Sequence, residues 1–440
     1  MNGGIEFFQL PVNGAGTPYV ECLSSYIGRL ARAHRIPTQS LLTLLGGLTG
    51  HSFAKTKDLL RGSGGRTLNH YTETQAEIRT ALARALGHAG FEETTLCDFS
   101  SVFANQGTGA LKPEKHWCAL CYEERTKSDE DPVDLLIWQM PELRFCPTHR
   151  VELHAHCTEC RETQPFLTRR GCLDACQSCG ALLWHPNSHK SLQDSTPEDK
   201  GYQEWLIKHL PELLQARSDL RPFLTGRECG LFLRSVAGAR RLSVEAFAKK
   251  IRVPSQTLAN WIRGRSKPKL ETWLRVCAQI DISPCSPLRD PIEAARQMPF
   301  ELAAPSIFVP SRKPPIIRHD KDAVRAALLA ELEQEEPKHQ SVNAFAREIG
   351  VDPSTLYSIA KQEAREYAAR IKASREARLK KSEEELREAA IAAIAALIRR
   401  REPLTRKRFV GQLREQVSCT EHRAKNEFGR VMEGVRGKKN

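Results

Sequence analysis

Seven cysteines and one histidine between residues 118 and 179 fall at spacings typical of metal ligands. They form four pairs, and two residues separate the members of each pair. In an intracellular chain such pairs favour metal binding over disulfides. Two side chains three positions apart in a tight turn point at one ion, and a second pair completes a tetrahedron. The predicted ligands are Cys118, Cys121, Cys146, His149, Cys157, Cys160, Cys176 and Cys179.

Pairing the ligands in chain order predicts two sites, each built from two successive pairs. We predict two structural Zn²⁺ ions, because four protein ligands leave no open coordination position. An interleaved pairing is the alternative. Cys172 is a spare thiol that would replace a ligand or be buried, and His154, His156 and His185 lie nearby without the spacing of His149.

No catalytic arrangement accompanies these ligands. The deaminase pattern of H-x-E followed by P-C-x-x-C is absent, and so is H-E-x-x-H. We find no paired acids, nucleophile triad or open metal site. The sequence therefore predicts a protein that is not an enzyme.

The positive charge of the chain lies in its second half. The net charge is +13, but residues 1–200 carry 20 Lys and Arg against 23 Asp and Glu, a net −3, whereas residues 201–440 carry 46 against 30, a net +16. Such asymmetry is typical of a polyanion-binding segment. We favour nucleic acid over a solubility effect, because helix-turn-helix patterns lie in the same half.

The first of these patterns covers residues 242–280. Ser243 is a candidate N-cap, and apolar residues recur on one helix face as far as Ile251. After a break at Pro254, Ser255 is the candidate N-cap of a second helix that begins with polar side chains, as in a helix-turn-helix. Its Gln, Thr, Asn and Arg residues are types that reach base edges, and the basic residues that follow suit phosphates. The predicted DNA contacts are Gln256, Thr257, Asn260, Arg263, Arg265, Lys267 and Lys269.

A second pattern of the same kind follows a Pro-rich linker. Ser341 is a candidate N-cap, Phe345 and Ile349 face the core, and a turn at Gly350 precedes another helix. For the first pattern the alternative is a helix-turn-helix used for packing or protein contacts. The predicted DNA contacts of the second pattern are Ser354, Thr355, Ser358 and Lys361.

Taken together, these patterns predict a mainly α-helical, multidomain chain with two zinc-binding modules and two or more helix-turn-helix units. A long charged helix is expected over 363–401 and a short helical unit with basic edges over 404–432. No apolar run is long enough to span a membrane, and the first residues lack secretory features. We therefore expect a soluble, cytoplasmic protein.

Four phrases of the sequence occur together in a fixed order. They are Glu21-Cys-Leu-Ser-Ser-Tyr-Ile-Gly-Arg-Leu-Ala, His116-Trp-Cys-Ala-Leu-Cys121, Trp138 followed by Phe145-Cys-Pro-Thr-His149-Arg-Val-Glu-Leu153, and the pair Cys157 and Cys160. Together they resemble the TniQ/TnsD family, the target-selection proteins of heteromeric bacterial transposons. The resemblance covers residues 1–190 and reaches residues 231–284, where the end of the first pattern also resembles a Cro/repressor-type helix-turn-helix. Residues 320–440 resemble the C-terminal part of the longer, TnsD-like members.

The resemblance implies target-site selection in DNA transposition by a bacterial, nucleoid-associated protein. Such a protein binds double-stranded DNA and recruits an AAA+ ATPase regulator and then the transposase. Two alternatives stay open: an adaptor for a CRISPR guide-RNA complex, and a zinc-containing transcriptional regulator unrelated to transposition. Only the eight metal ligands carry over from the family, and an acidic insertion at 123–134 departs from its pattern.

We predict five segments along the chain. They are the N-terminal helical part of a TniQ-like domain (1–110), a double zinc-binding module (111–190), a Cro/repressor-like helix-turn-helix domain (200–290), a Pro-rich linker (291–319), and a basic C-terminal helical domain with the second helix-turn-helix (320–440).

Overall fold

The computed structural model describes residues 7–49, 59–60, 64–88, 90–104, 110–169, 171–184, 190–299, 320–339, 341–400, 402–417, 419 and 421–436. Within these residues the regular structure is helical, and the β structure consists of isolated bridges. This confirms the mainly α-helical fold. None of the helices described has both the length and the apolar character needed to cross a membrane.

The chain divides into two compact units, and each combines segments that are distant in sequence. The N-terminal unit comprises Met1–Ala155, Pro165–Leu173 and Asn187–Arg312. The C-terminal unit comprises the remaining segments His156–Gln164, Asp174–Pro186 and Lys313–Asn440. The last two predicted ligand pairs therefore belong to the C-terminal unit. The predicted domain boundaries stay a prediction.

The helices of both units follow the predicted periodicity closely. In the N-terminal unit they are α1 (Leu23–Ala33), α2 (Thr38–Thr49), α3 (Glu73–Leu86), α4 (Ala119–Lys127), α5 (Pro197–Leu220), α6 (Glu228–Ala239), α7 (Val244–Lys250), α8 (Ser255–Ile262), α9 (Leu270–Gln279), α10 (Ser286–Arg289) and α11 (Pro291–Gln297). In the C-terminal unit they are α12 (Lys321–Glu333), α13 (Val342–Glu348), α14 (Pro353–Ile359), α15 (Lys361–Arg399), α16 (Arg406–Gln416) and α17 (Glu421–Arg436).

Two stretches differ in detail from the expected pattern. The expected linker begins with helix α11. Asp290 caps this helix through its carboxylate, and the helix packs against α6. Residues 300–319 of the linker lie outside the described residues. The expected short unit at 404–432 consists of two helices, α16 and α17, and Thr405 caps the first of them.

The N-terminal helices α1, α2 and α3 share one apolar core. Tyr26 and Ile27 of α1 are completely buried in it, together with Leu41 of α2 and Ile78 of α3. Helix α3 has well-formed ends: the Thr72 hydroxyl accepts a hydrogen bond from a backbone N–H of the first turn, and a glycine in the left-handed conformation follows the last turn.

A buried polar network joins α4 to α1. Lys115 Nζ lies 2.8 Å from Asp134 Oδ2, and both side chains are 2% exposed or less. The Tyr122 hydroxyl of α4 donates a hydrogen bond to Asp134, and the backbone N–H of Asp134 donates to Ser25 Oγ of α1 at 3.0 Å. A charge at this depth requires its partner, because breaking a buried pair leaves an uncompensated charge.

We expect Asp134→Ala to destabilise the protein by about 3–5 kcal/mol, because it leaves the Lys115 ammonium buried without its partner. Urea unfolding followed by circular dichroism measures this loss. Asp131→Ala is the matched control, because Asp131 pairs with Arg32 at the surface and its side chain is 42% exposed. The control should cost less than about 1 kcal/mol, and equal losses for the two variants would contradict the prediction.

Helices α6 to α9 form the scaffold of the first helix-turn-helix. Phe232 of α6 packs edge-on against Trp273 of α9, with ring centroids 6.0 Å apart. Phe247 of α7 and Leu258 of α8 are completely buried. Burial of these side chains fixes the angle between the two short helices, which are too short to be stable alone.

The C-terminal unit contains two apolar cores along one long helix. The first half of α15 packs with α12, α13 and α14 around Phe345 and Tyr367. The second half packs with α16 and α17 around Phe409 and Leu413. Helix α15 therefore connects the second helix-turn-helix to the last two helices of the chain.

Candidate metal centres and nucleic-acid interface

The structure assembles the first predicted metal site in the N-terminal unit. The side-chain ligand atoms of Cys118, Cys121, Cys146 and His149 all lie within 4.8 Å of one another. Cys118 occupies the N-cap position of α4, and Cys121 follows within the first turn. The start of a helix thus supplies one ligand pair, and a tight turn at 146–151 supplies the other.

The histidine of this cluster is held in the orientation that metal binding requires. His149 Nδ1 faces the sulfur atoms and lies 3.2 Å from Cys121 Sγ. His149 Nε2 lies 2.9 Å from Glu124 Oε1. A carboxylate at Nε2 favours a proton there and leaves the Nδ1 lone pair directed at the cluster. Four donors of this type and orientation fit a tetrahedral metal ion.

The second cluster lies in the C-terminal unit and contains only cysteines. The sulfur atoms of Cys157, Cys160, Cys176 and Cys179 also lie within 4.8 Å of one another. Gln164 Nε2 donates a hydrogen bond to Cys176 Sγ at 3.2 Å. A donor to a sulfur stabilises the thiolate form that a metal requires.

Three of the four ligand pairs share one backbone turn. The residue after the second ligand has a positive φ at Arg150, Arg161 and Gly180. In each turn the N–H of this residue donates to the carbonyl of the first ligand at 2.9–3.0 Å. The N–H of the first ligand in turn donates to a carbonyl two positions beyond the second ligand. In these three turns the backbone therefore directs both ligand side chains to the same side of the turn.

Crowding of the sulfur atoms shifts their proton affinities. The pKa of Cys146 is lowered because it accepts hydrogen bonds from Cys118 and Cys121. The pKa of Cys176 is lowered for the same reason by Cys157 and the other two thiols of its cluster. A lowered thiol pKa favours the thiolate form, which is the form that binds a metal.

Chain-order pairing agrees with the geometry, and the interleaved alternative does not. Cys172 is buried in a segment of the N-terminal unit and belongs to neither cluster. His154 exchanges backbone hydrogen bonds with Trp117, and neither it nor His156 belongs to a cluster found among the described residues. His185 lies outside those residues.

The first helix-turn-helix has the predicted caps and turn, with one shift. Ser243 Oγ accepts a hydrogen bond from the Ala246 N–H at 3.1 Å. The turn between α7 and α8 contains Arg252 with φ +52°. Ser255, expected as the second cap, is instead the first helical residue, and Pro254 takes the cap position. Pro254 has no side chain that accepts a hydrogen bond, so α8 begins without a side-chain cap.

The predicted base-reading side chains of α8 lie on its outer side. Gln256 is exposed, and Thr257 and Asn260 are half-buried. Gln256 Nε2 donates to Asn260 Oδ1 at 3.1 Å, as residues four apart on one helix face do. The inner side of the same helix contributes Leu258 and Trp261 to the core.

The basic residues after α8 form an exposed, anchored segment. The side chains of Arg263, Arg265, Lys267 and Lys269 are exposed. Pro268 between them is buried, and its carbonyl accepts a hydrogen bond from the Ala104 N–H at 2.9 Å. The backbone is therefore held while the cationic side chains remain available to an anionic partner.

The second helix-turn-helix repeats this construction in the C-terminal unit. Ser341 Oγ accepts from the Ala344 N–H at 3.0 Å, and Gly350 supplies the left-handed turn with φ +69°. Of the predicted contacts, Ser354 and Ser358 are exposed on α14 and Thr355 is half-buried. Lys361 is exposed but begins the next helix, α15.

The Ser354 hydroxyl already has a partner. It donates to Asp352 Oδ1 at 2.5 Å, and Asp352 caps α14. Ser354 thus contributes to the cap of its own helix. It is therefore a weaker candidate for a base contact than Ser358, which is also exposed.

Two side chains that support the metal clusters were not predicted. Glu124 lies three positions after Cys121 on α4, so a helix beginning at Cys118 would have placed it beside the ligands. It belongs to the acidic stretch that departs from the family pattern, and it is the partner of His149. Gln164 follows Cys160 by four residues, but no local signal links it to Cys176.

Two models of known protein families match the parts of the chain that contain the first metal cluster and the first helix-turn-helix. The TniQ family model matches residues 14–153, which include the whole first cluster. The helix-turn-helix family model matches residues 233–285, which include α7, α8 and the basic segment. A search of curated proteins found no match. A TniQ-like region is thus followed by a helix-turn-helix region, and the two matches together support a transposition-associated DNA-binding protein.

Proposed function

We propose that this protein selects target sites for DNA transposition by binding duplex DNA directly. The observation that carries the proposal is the exposed polar and basic surface of α8 and residues 263–269, in a chain that also contains a TniQ domain. A helix of this kind fits the major groove, and the basic residues beside it suit the flanking phosphates. The second helix-turn-helix would extend the contact along the DNA.

In this proposal the two metal clusters have a structural role and the protein catalyses no reaction itself. Both clusters offer four sulfur or nitrogen donors, which suit Zn²⁺ in a closed tetrahedral site. The TniQ domain would bring an AAA+ ATPase regulator, and through it the transposase, to the selected DNA. Binding of this kind would place the protein with the bacterial nucleoid.

Nuclease footprinting of the purified full-length protein tests the proposal. We expect protection of a specific duplex that survives an excess of random DNA. If random and specific duplexes compete equally at physiological salt, the protein is not a sequence-specific selector. Protection that appears only with an added guide-RNA complex would support the adaptor function instead.

We expect Gln256→Ala and Asn260→Ala each to reduce discrimination between the specific and a random duplex by about 1–3 kcal/mol, because amide side chains pair with base edges. Affinity for random DNA should stay nearly constant, since neither residue carries charge. Competition binding assays measure both quantities. Ser266→Ala, at an exposed position outside α8, is the control and should leave discrimination unchanged. Unaltered discrimination in both α8 variants would show that this helix does not read bases.

A further inference from the structure

The TniQ-like region and the first helix-turn-helix contact each other at two separate places. The first family match ends at residue 153 and the second begins at residue 233, and both lie within the N-terminal unit. Two regions of one chain move relative to each other unless the contacts between them prevent it. The nature of these contacts therefore decides whether the two regions act together.

The first contact joins residues 101–104 to the end of the basic segment. The Ala104 N–H donates a hydrogen bond to the Pro268 carbonyl at 2.9 Å. The Ala104 carbonyl accepts a hydrogen bond from the Tyr71 hydroxyl at 2.9 Å, and Tyr71 is itself buried. Residue 104 therefore connects the TniQ-like region to the chain just before α9 begins.

A close backbone approach lies beside this hydrogen bond. Gly226, which precedes α6, has φ +86°. A Cβ added there would lie 2.4 Å from the Ser101 carbonyl oxygen and 3.2 Å from Lys267 Cε. The Gly226 N–H donates to the Glu228 carboxylate of α6 at 2.9 Å. Only glycine fits this conformation and this spacing, so residues 101–104 contact the start of α6 as well as the basic segment.

The second contact is an ion pair between α9 and the segment that leads to the first metal site. Arg275 Nη2 lies 2.7 Å from Glu142 Oε2, and the two side chains are 16% and 15% exposed. Gln203 of α5 holds the backbone around Glu142, because its side chain donates to the Glu142 carbonyl at 2.9 Å and accepts from the Arg144 N–H at 2.8 Å. Water screens a pair at this depth less than it screens a surface pair.

Helix α8 is tied to the helices that make these contacts. A Cβ added at Gly230 of α6 would lie 2.3 Å from the Trp261 carbonyl oxygen of α8, so the two helices approach each other closely. Phe232 of α6 also packs against Trp273 of α9. A change in the position of α6 or α9 would therefore move α8.

We propose that the TniQ-like region and the first helix-turn-helix form one rigid body, in which the Arg275–Glu142 pair and the contact at residues 101–104 fix the orientation of α8. Arg275 is a positioning residue in this arrangement. A duplex bound by α8 would then lie at one distance from the TniQ-like region. This consequence for DNA rests on the proposed function, whereas the rigidity does not.

The distance between two spin labels tests the rigidity in the full-length protein without DNA. The labels are attached to ketone-bearing amino acids, which leaves the native cysteines unmodified. They replace Gln39 of α2 and Glu245 of α7, both of which are exposed. Pulsed electron paramagnetic resonance should give a single narrow distance distribution. A broad distribution in the labelled protein without further substitutions would overturn the proposal.

Arg275→Ala combined with Gly226→Ala should broaden this distribution about twofold, because it removes the ion pair and forces the start of α6 away from Ser101. Arg275→Lys alone should keep the distribution narrow, since an ammonium group can still pair with Glu142.

The matched control is Arg234→Ala combined with Gly87→Ala. Arg234 is exposed on α6, and Gly87 has φ +68° with open space around its Cβ position. The control therefore removes the same charge and introduces the same kind of backbone strain away from both contacts. Equal distributions in the combined variant and this control would overturn the proposal. A narrow distribution in a parent protein that binds no duplex would overturn only the proposed function.

Discussion

Replacing Cys118 and Cys121 by serine is expected to remove one of two bound metal ions and to unfold much of the N-terminal unit. Structural zinc sites contribute about 10–16 kcal/mol to folding in small peptides at neutral pH, which matches or exceeds the usual total stability of about 5–15 kcal/mol for a domain. Loss of the first metal ion should also disturb the buried aromatic side chains beside its ligands. Trp117 and Tyr122, which flank the ligands, are buried, and Tyr122 packs edge-on against Trp138 with ring centroids 6.2 Å apart.

Metal content by mass spectrometry and thermal unfolding by circular dichroism together measure this outcome. Cys97→Ser is the matched control, because Cys97 is a half-buried thiol that belongs to neither cluster. It should keep both ions and unfold at nearly the parent temperature. A double variant that retains two ions, or that unfolds like the parent protein, would show that these cysteines do not form a structural metal site.

Arg263→Ala with Arg265→Ala is expected to weaken duplex binding by about 10- to 100-fold at moderate salt. Each phosphate contact contributes a slope of about 0.9 to the dependence of log affinity on log salt. Losing two contacts should therefore lower that slope by nearly two. Both side chains are exposed on the anchored basic segment, so their removal leaves the core around Leu258 and Trp261 intact.

A salt titration of binding, with and without the two substitutions, measures both the affinity and the slope. The matched control is Arg35→Ala with Arg84→Ala, which removes the same charge from exposed positions next to or within the N-terminal helices. The control should change the slope little. If the two double variants lose the same affinity, the effect comes from net charge and not from phosphate contacts at the basic segment.

Features governed by local spacing could be predicted from the sequence. The ligand pairs are separated by two residues, and the turn that carries them depends on five or six consecutive residues. The caps at Ser243 and Ser341 likewise depend on the next three residues. Both metal clusters and both helix-turn-helix units were therefore predictable.

Features that depend on distant partners could not be predicted in the same way. Ala104 and Pro268 carry no joint signal, because a single backbone hydrogen bond over 164 residues leaves no periodicity. Helix α11 was expected as linker because proline and a short length weaken the helical pattern, yet its Asp290 cap and its packing on α6 stabilise it. The cap at Ser255 was misplaced by one residue because proline and serine are both acceptable at a helix start.

The long interval between the second metal cluster and the last segment of its unit has a consequence for biosynthesis. At about 5–20 residues per second, the ribosome reaches residue 313, where that segment begins, roughly 7–27 seconds after Cys179. The four cysteines of that cluster are complete well before then, so the ion can enter while the last helices are still being translated. Scarcity of the metal during this interval would leave the last helices to fold beside an unformed cluster, and fragments that begin at residue 313 would lack the cluster altogether.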